Sequence, residues 1–240
     1  SHGSVDLVVG EVGAVGMFEP PAAANKIGFS IKIDIEREHP SPEALAACEH
    51  SEWTRLEHHR CGECPLDPAR HKFCPTAVDI EEIAHRFLDT ISTDNADVTV
   101  RTRDRNYFKR CDAQTYLMSL FGLIMATSAC PVMGRLKPMA YFHLPFSSLE
   151  ETIYRLVGTY LTKQYLIRKL GQSPDWDLNG LRELYTRLNQ VNRSFMQRLR
   201  SASTGDANLN AQQIFISVSR HIEMGIDPAL EKLTPKLNGL

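Results

Sequence analysis

His58-His59-Arg60-Cys61-Gly62-Glu63-Cys64-Pro65 is followed, after a further stretch of loop-forming residues, by Cys74-Pro75. The spacing H-x-C-x2-C-x9-C places three of the chain's six cysteines within fourteen residues. A C-x2-C pair makes a tight knuckle whose sulfurs converge, and thiolate and imidazole ligands in tetrahedral array suit zinc. Proline after a metal-binding cysteine stiffens the chain leaving the knuckle. The expected site is therefore Cys61, Cys64 and Cys74, with His59 as the fourth ligand and His58, His71, Cys48 and His50 as competitors. Such a closed site is structural rather than catalytic, because catalytic zinc keeps an open position. An iron–sulfur cluster is the chemical rival, and it recruits Cys48, Cys111 or Cys130 as a fourth sulfur. A redox dithiol at Cys61 and Cys64 lacks the strand-to-helix setting that such motifs use.

Outward from this knuckle the pattern changes. Upstream, Phe29, Ile31, Ile33 and Ile35 alternate with Ser30, Lys32, Asp34 and Glu36. That period of two predicts a strand with one buried face. Val5, Leu7 and Val9 predict a second strand, and Asp97 to Arg103 a third. Glu19-Pro20-Pro21 and Asn25-Lys26-Ile27-Gly28 read as loop and turn. Ser41 caps a short helix that opens at Pro42. Downstream, Thr76 to Leu88 carries Val78, Ile80, Ile83, Ala84 and Phe87 on one side, a helical stripe.

From Asp112 onward the spacing is helical. Helices are expected at Ala113–Ala129, Ser147–Leu170, Leu178–Ser201 and Ala207–Met224, with a short one after Pro228. Ser147 with Glu150 fits a capping box, and Gly171 is a helix stop. The fold class is α+β: a small N-terminal antiparallel sheet, a Cys/His metal knuckle and a C-terminal helical bundle. Two units follow, residues 1–110 and 111–240, joined as one continuous domain if the knuckle fixes sheet to bundle.

Composition sets limits on function. The chain has 240 residues and 42% hydrophobic content, enough to bury a core without covalent staples. Six cysteines at this length are too sparse for a disulfide scaffold, so a reducing, cytoplasmic setting is expected. A formal charge of -2 gives no global field for nucleic acid or anionic lipid. Leu117 to Met133 is apolar but short for a membrane span and reads as a buried helix. Ser1-His2-Gly3-Ser4 lacks a methionine and reads as the remnant of an expression tag.

Other constellations are weaker. Cys130 as nucleophile, His143 as base and Glu151 as orienter compose a thiol-enzyme hypothesis acting on a small molecule in a bundle pocket. The bland alternative makes Cys130 a small hydrophobe and His143 a core residue. Glu82-x-x-His85 has di-iron spacing, but no partner pair exists, so it reads as a solvated helix face. Arg101, Arg103, Arg105, Lys109 and Arg110 with Tyr107 and Phe108 imitate a nucleic-acid surface. Asp97, Asp104 and Asp112 dilute that stretch, so a solvated strand explains it better. Arg193, Arg198 and Arg200 form a second basic stretch without a motif. Tyr154, Tyr160, Gln164 and Tyr165, with Asn189, Gln190, Asn192, Asp206, Asn208 and Asn210, fit interhelical hydrogen bonds, Asp206 serving as a helix cap.

Taken together, four strings resemble a family of uncharacterised bacterial proteins. They are Cys61-x-x-Cys64-Pro65-Leu66 with Cys74-Pro75, then Ser128-Ala129-Cys130-Pro131, then His143-Leu144-Pro145-Phe146 with Glu150-Glu151-Thr152, and Asp206-Ala207-Asn208-Leu209-Asn210-Ala211. The resemblance spans roughly Trp53 to the last helix. It implies a bacterial, cytosolic protein, brings no activity with it, and favours His59 as a ligand. The expected function is zinc binding with a binding or regulatory role toward a protein or small-molecule partner. The alternatives are the small-molecule enzyme and a metal or redox sensor.

Overall fold

The computed structural model describes residues 4–11, 27–62, 64–202 and 206–238. Its fold is α+β. Four strands, β1 (Ser4–Glu11), β2 (Ile27–Asp34), β3 (Asn95–Arg101) and β4 (Asn106–Asp112), form one antiparallel sheet in the order β2-β1-β3-β4. Val5, Leu7 and Val9 of β1, Phe29 and Ile33 of β2, and Ala96, Val98 and Val100 of β3 are buried. Alternation of side chains along a strand puts these residues on one face. The loop and turn expected at Glu19–Pro21 and Asn25–Gly28 lie outside the described residues, except that Ile27 and Gly28 open β2.

Strand β3 begins two residues earlier than expected and ends at Arg101. The basic stretch runs from β3 through a hairpin turn into β4, a largely exposed strand as expected, whose register sets Arg110 opposite Asp97. Arg110 Nε and Nη2 donate to the Asp97 carboxylate at 2.7 and 3.0 Å. Only Cys111 of this edge strand is buried.

Two helices cover the apolar face of the sheet. In α2 (Pro75–Arg86), Ala77, Ile80, Ile83 and Ala84 point inward. Phe87, the residue that ends α2, meets Phe29 of β2 edge-on, with ring centroids 5.1 Å apart. In α3 (Ala113–Ala126) the helix is buried over most of its circumference. It stops three residues short of the expected end, because Thr127 turns its hydroxyl back onto the Leu123 carbonyl at 2.9 Å.

The remaining helices are the short α1 (Pro42–Ala46) and α4 (Lys137–Tyr141), the long α5 (Leu149–Lys169), α6 (Asn179–Ala202) and α7 (Asp206–Glu231), and α8 (Thr234–Leu237). Helix α7 packs against α3, α5 and α6. It runs past the expected end at Met224, bending at Gly225 and carrying Pro228 inside. Proline deletes a helical hydrogen bond, which accounts for the bend. The capping box of α5 is Ser148 with Glu151, one residue later than the expected Ser147 with Glu150. Gly171, at φ 77°, follows the end of α5. One hydrophobic cluster runs without a break from β1 to α7, so the sheet and the helices share a core.

Some of the polar helix residues form interhelical bonds, whereas Tyr154 and Tyr165 are exposed and Tyr160 and Gln164 bond Asp175 in the loop after α5. Asn192 Nδ2 donates to Ser219 Oγ at 3.0 Å, and Asn189 reaches Glu223. Asn208 Nδ2 donates to the Ala84 carbonyl at 3.0 Å and closes the end of α2. Asp206 accepts from both the backbone and the hydroxyl of Ser92, tying the start of α7 to the turn before β3.

Candidate thiol centre and apolar cavity

The segment that precedes the cysteines is built like a clasp. Cys74 N–H donates to the Thr54 carbonyl at 2.7 Å and Leu56 N–H to the Lys72 carbonyl at 2.9 Å, with Arg55 bridged to Phe73 between them. Residues 54–56 and 72–74 thus pair antiparallel and pinch off the loop that carries Cys61 and Cys64. Within that loop Cys64 N–H donates to the Cys61 carbonyl at 3.0 Å. Arg60 Nη2 donates to the Cys64 and Leu66 carbonyls at 3.2 and 2.7 Å.

Arg198 of α6 locks the clasp from behind. It is 1% exposed, among the largest fully buried side chains. Its guanidinium donates to the carbonyls of Trp53 (2.8 Å), Arg55 (2.6 Å) and Leu56 (2.8 Å). Among the described residues it makes no ion pair. Of the basic stretch on α6, Arg193 and Arg200 are exposed and Arg198 is buried. An ionised group buried without a counter-charge is costly. The titratable neighbours within its electrostatic reach are His58 and two thiols, Cys61 and Cys74.

Four cysteines gather at this point. Cys61 lies in the electrostatic reach of Cys64 and Cys130, and Cys74 in that of Cys130 and Cys61. Cys130 arrives from the loop after α3. That loop is fastened to the start of α2 by Ser128 Oγ and Thr76 Oγ1, 2.8 Å apart and both buried. Cys130 N–H in turn donates to Ser128 Oγ at 3.3 Å. Ser194 of α6 hydrogen-bonds Cys61. Cys74 is the N-cap residue of α2, where the helix dipole and the Ala77 N–H favour negative charge on sulfur. Burial opposes this, raising the Cys61 thiol and pushing Cys74 up to about 12. Left to themselves Cys61 and Cys74 are protonated, inert thiols rather than nucleophiles.

All six cysteines are free thiols. Among the described residues no group of three or more His, Cys, Asp and Glu side chains is arranged to hold a metal ion. The Cys/His knuckle is therefore not seen as a formed ligand set. His59 is exposed, sits at φ 47° and meets the His58 ring edge-on. His58 Nε2 is 2.7 Å from Ser201 Oγ, and His50 Nδ1 is 2.8 Å from Glu81 Oε2. His71 pairs with the Asp67 carbonyl. Cys48 is exposed, and Cys111 is buried in β4 with its thiol pushed up to about 11 by burial. Glu82 pairs with Arg86 on the solvated side of α2, as expected for a helix face.

The thiol-enzyme constellation does not assemble. His143 lines a cavity of about 150 Å³ between α3, α4, α6, α7 and the start of α5, and Cys130 does not. Glu151 is bound into the capping box, its Oε2 accepting the Ser148 N–H at 2.7 Å. Burial, assisted by the Arg155 charge, lowers His143 to about 4, so its ring is neutral. The cavity wall is largely apolar, with Met118, Leu123, Leu136, Leu188 and Phe215 among its residues. Phe146, also on the wall, sits at φ 59°. Left-handed backbone at such a residue costs about 1–2 kcal/mol.

A family model described as a domain of unknown function (DUF6901) matches residues 18–237. The chain belongs to this family. The match begins well before Trp53, so β2, β3 and β4 lie inside the family's domain along with the cysteine loop and every helix. A search of the curated proteins and one of the solved structures give no significant match. No helix of the described residues is long and apolar enough to cross a membrane.

Proposed function

We propose that this DUF6901 protein is a metal–thiolate protein in which Cys61, Cys64, Cys74 and Cys130 hold zinc in a structural role. The observation that carries this reading is the buried Arg198 cation, which has the Cys61 and Cys74 thiols in its electrostatic reach, Cys64 and Cys130 in turn near Cys61, and no ion pair among the described residues. A metal bound by four thiolates carries net negative charge, and that charge offsets the guanidinium. Cys130 replaces His59 as the fourth donor because it lies beside Cys61 and Cys74 while His59 faces solvent. The donor set, four thiols without imidazole, fits a closed all-cysteine zinc site.

In this role the ion joins four pieces of chain: the clasp loop, the N-terminus of α2, the loop after α3 and, through Arg198 and Ser194, helix α6. Metal displaces the thiol protons, so binding releases protons and weakens as pH falls. Reduced thiols suit a cytoplasmic setting. The protein then acts as a binding or regulatory module for a protein or small-molecule partner.

The same all-sulfur donor set is also that of an iron–sulfur cluster, and this is the second reading. Elemental analysis and the visible spectrum of protein purified anaerobically without added metal separate the two. The expected result is about one equivalent of zinc, lost in Cys61→Ser, Cys64→Ser and Cys130→Ser but kept in Cys48→Ser and His59→Ala. Iron, sulfide and visible colour establish the cluster instead. Reduced protein that carries neither metal, and takes up no zinc against a competing chelator, sinks both.

A further inference from the structure

We propose that the apolar cavity beneath Phe146 binds a small monocarboxylic acid, its apolar body filling the cavity and its carboxylate paired to Arg155. The site is independent of the thiol centre, since none of the four cysteines lines it.

The size of the space sets the body of the ligand. A cavity of about 150 Å³ equals the engineered apolar cavity in another protein that takes up benzene. One aromatic ring or a chain of about six carbons fits that volume. The wall sets its chemistry. Met118, Leu123, Leu136, Leu188 and Phe215 offer no partner to a polar body. Ligand sites of this kind are mostly apolar, with a few polar groups that fix orientation.

Arg155 is the group that selects an anion. It lines the cavity and is partly buried. Its Nη2 donates to the Met139 and Phe142 carbonyls at 3.1 and 2.6 Å, which holds the guanidinium in place against the end of α4. Nε and Nη1 have no acceptor among the described residues, and Arg155 makes no ion pair there. Glu151, one turn earlier on α5, lies in its electrostatic reach but makes no ion pair with it, being exposed and committed to the Ser148 cap. A fixed cation facing an apolar space, with donors to spare, is the arrangement that carboxylate recognition uses. His143, neutral beside it, adds a hydrogen-bonding group without a second charge. Among the lining residues Arg155 is the one cation, with Lys109 placed over the Phe146 ring, and a single carboxylate matches the single lining charge.

Calorimetric titration of the full chain with benzoate, hexanoate and benzyl alcohol tests the assignment. At least one of the two acids is expected to bind saturably, and benzyl alcohol at least about tenfold more weakly, the size of a lost charge-assisted hydrogen bond. Which acid binds more tightly reports whether a ring or a chain fits better. Arg155→Gln is expected to lower affinity by a similar factor. Because Arg155 also supports α4, Ser119→Leu serves as a second variant: it fills the wall and leaves the guanidinium untouched. It is expected to abolish binding while the protein stays folded by circular dichroism. Equal binding of acid and alcohol, no saturable binding of either acid, or unchanged affinity in Ser119→Leu overturns the proposal.

Discussion

Arg198 and Arg155 do the same mechanical work in two regions of the molecule. Each turns a guanidinium onto backbone carbonyls of a neighbouring segment and neither has a carboxylate partner among the described residues. Their surroundings differ. Arg198 is wholly enclosed and faces sulfur; Arg155 is partly exposed and faces hydrocarbon. The comparison teaches that a buried cation is informative through what surrounds it. Around Arg198 the chain supplies its own latent anions, which need only lose their protons. Around Arg155 the nearby Glu151 carboxylate makes no ion pair with it, being held in the Ser148 cap, so the guanidinium is left open to a charge from outside.

The largest effect expected from this contrast is in stability. Arg198→Met leaves the Trp53, Arg55 and Leu56 carbonyls without their donor inside the core, at a cost of roughly 3 kcal/mol or more. Arg155→Met releases two carbonyls close to water and costs about 1 kcal/mol. Urea unfolding of both variants measures the difference, and equal losses would break the comparison. A smaller effect is expected at the bridge between the two loops of the thiol centre. Thr76→Val removes the buried contact with Ser128 and costs about 1 kcal/mol. Its sharper readout is metal retention under a chelator, which falls if Cys130 is a ligand and stays constant if it is not.

A further effect, spread over pH, is expected at the cavity. His143 titrates at about 4 in the folded protein against 6.5 when unperturbed. The unfolded chain therefore binds the extra proton first as pH falls. The stability that His143 contributes is complete above pH 6.5 and is lost progressively toward pH 4. His143→Leu is expected to flatten the fall in melting temperature across that window. Identical slopes in the variant and the parent would show that the imidazole is not buried as described.

Much of the fold was legible because it rests on local periodicity. The alternation at Phe29–Glu36 and the stripe on α2 each declare which side faces the core. Strand β4 was legible only as a solvated stretch without bounds, because only Cys111 along it is buried and an edge strand with wet faces carries no alternation. The cap of α5 was displaced by one residue because Ser147-Ser148 and Glu150-Glu151 satisfy the same spacing in two registers. At the thiol centre the three clustered cysteines were visible. Cys130 was one of several distant thiols, and nothing in local spacing could choose it over Cys48 or Cys111. Arg198 was hidden between Arg193 and Arg200, because helical phase alone decides which of three arginines turns inward. The cavity wall, drawn from five separate helices, left no sequence signal beyond His143.

The bonds from Arg198 back to Trp53, Arg55 and Leu56 cross 142 to 145 residues. A ribosome releases the cysteines one by one, long before it releases the arginine that fastens their segment. During synthesis the clasp has to wait for α6, and until then its thiols are open to premature oxidation or to the wrong cation. Late closure of this kind places any loading of the centre after translation, and makes truncation of α6 as damaging as loss of a cysteine.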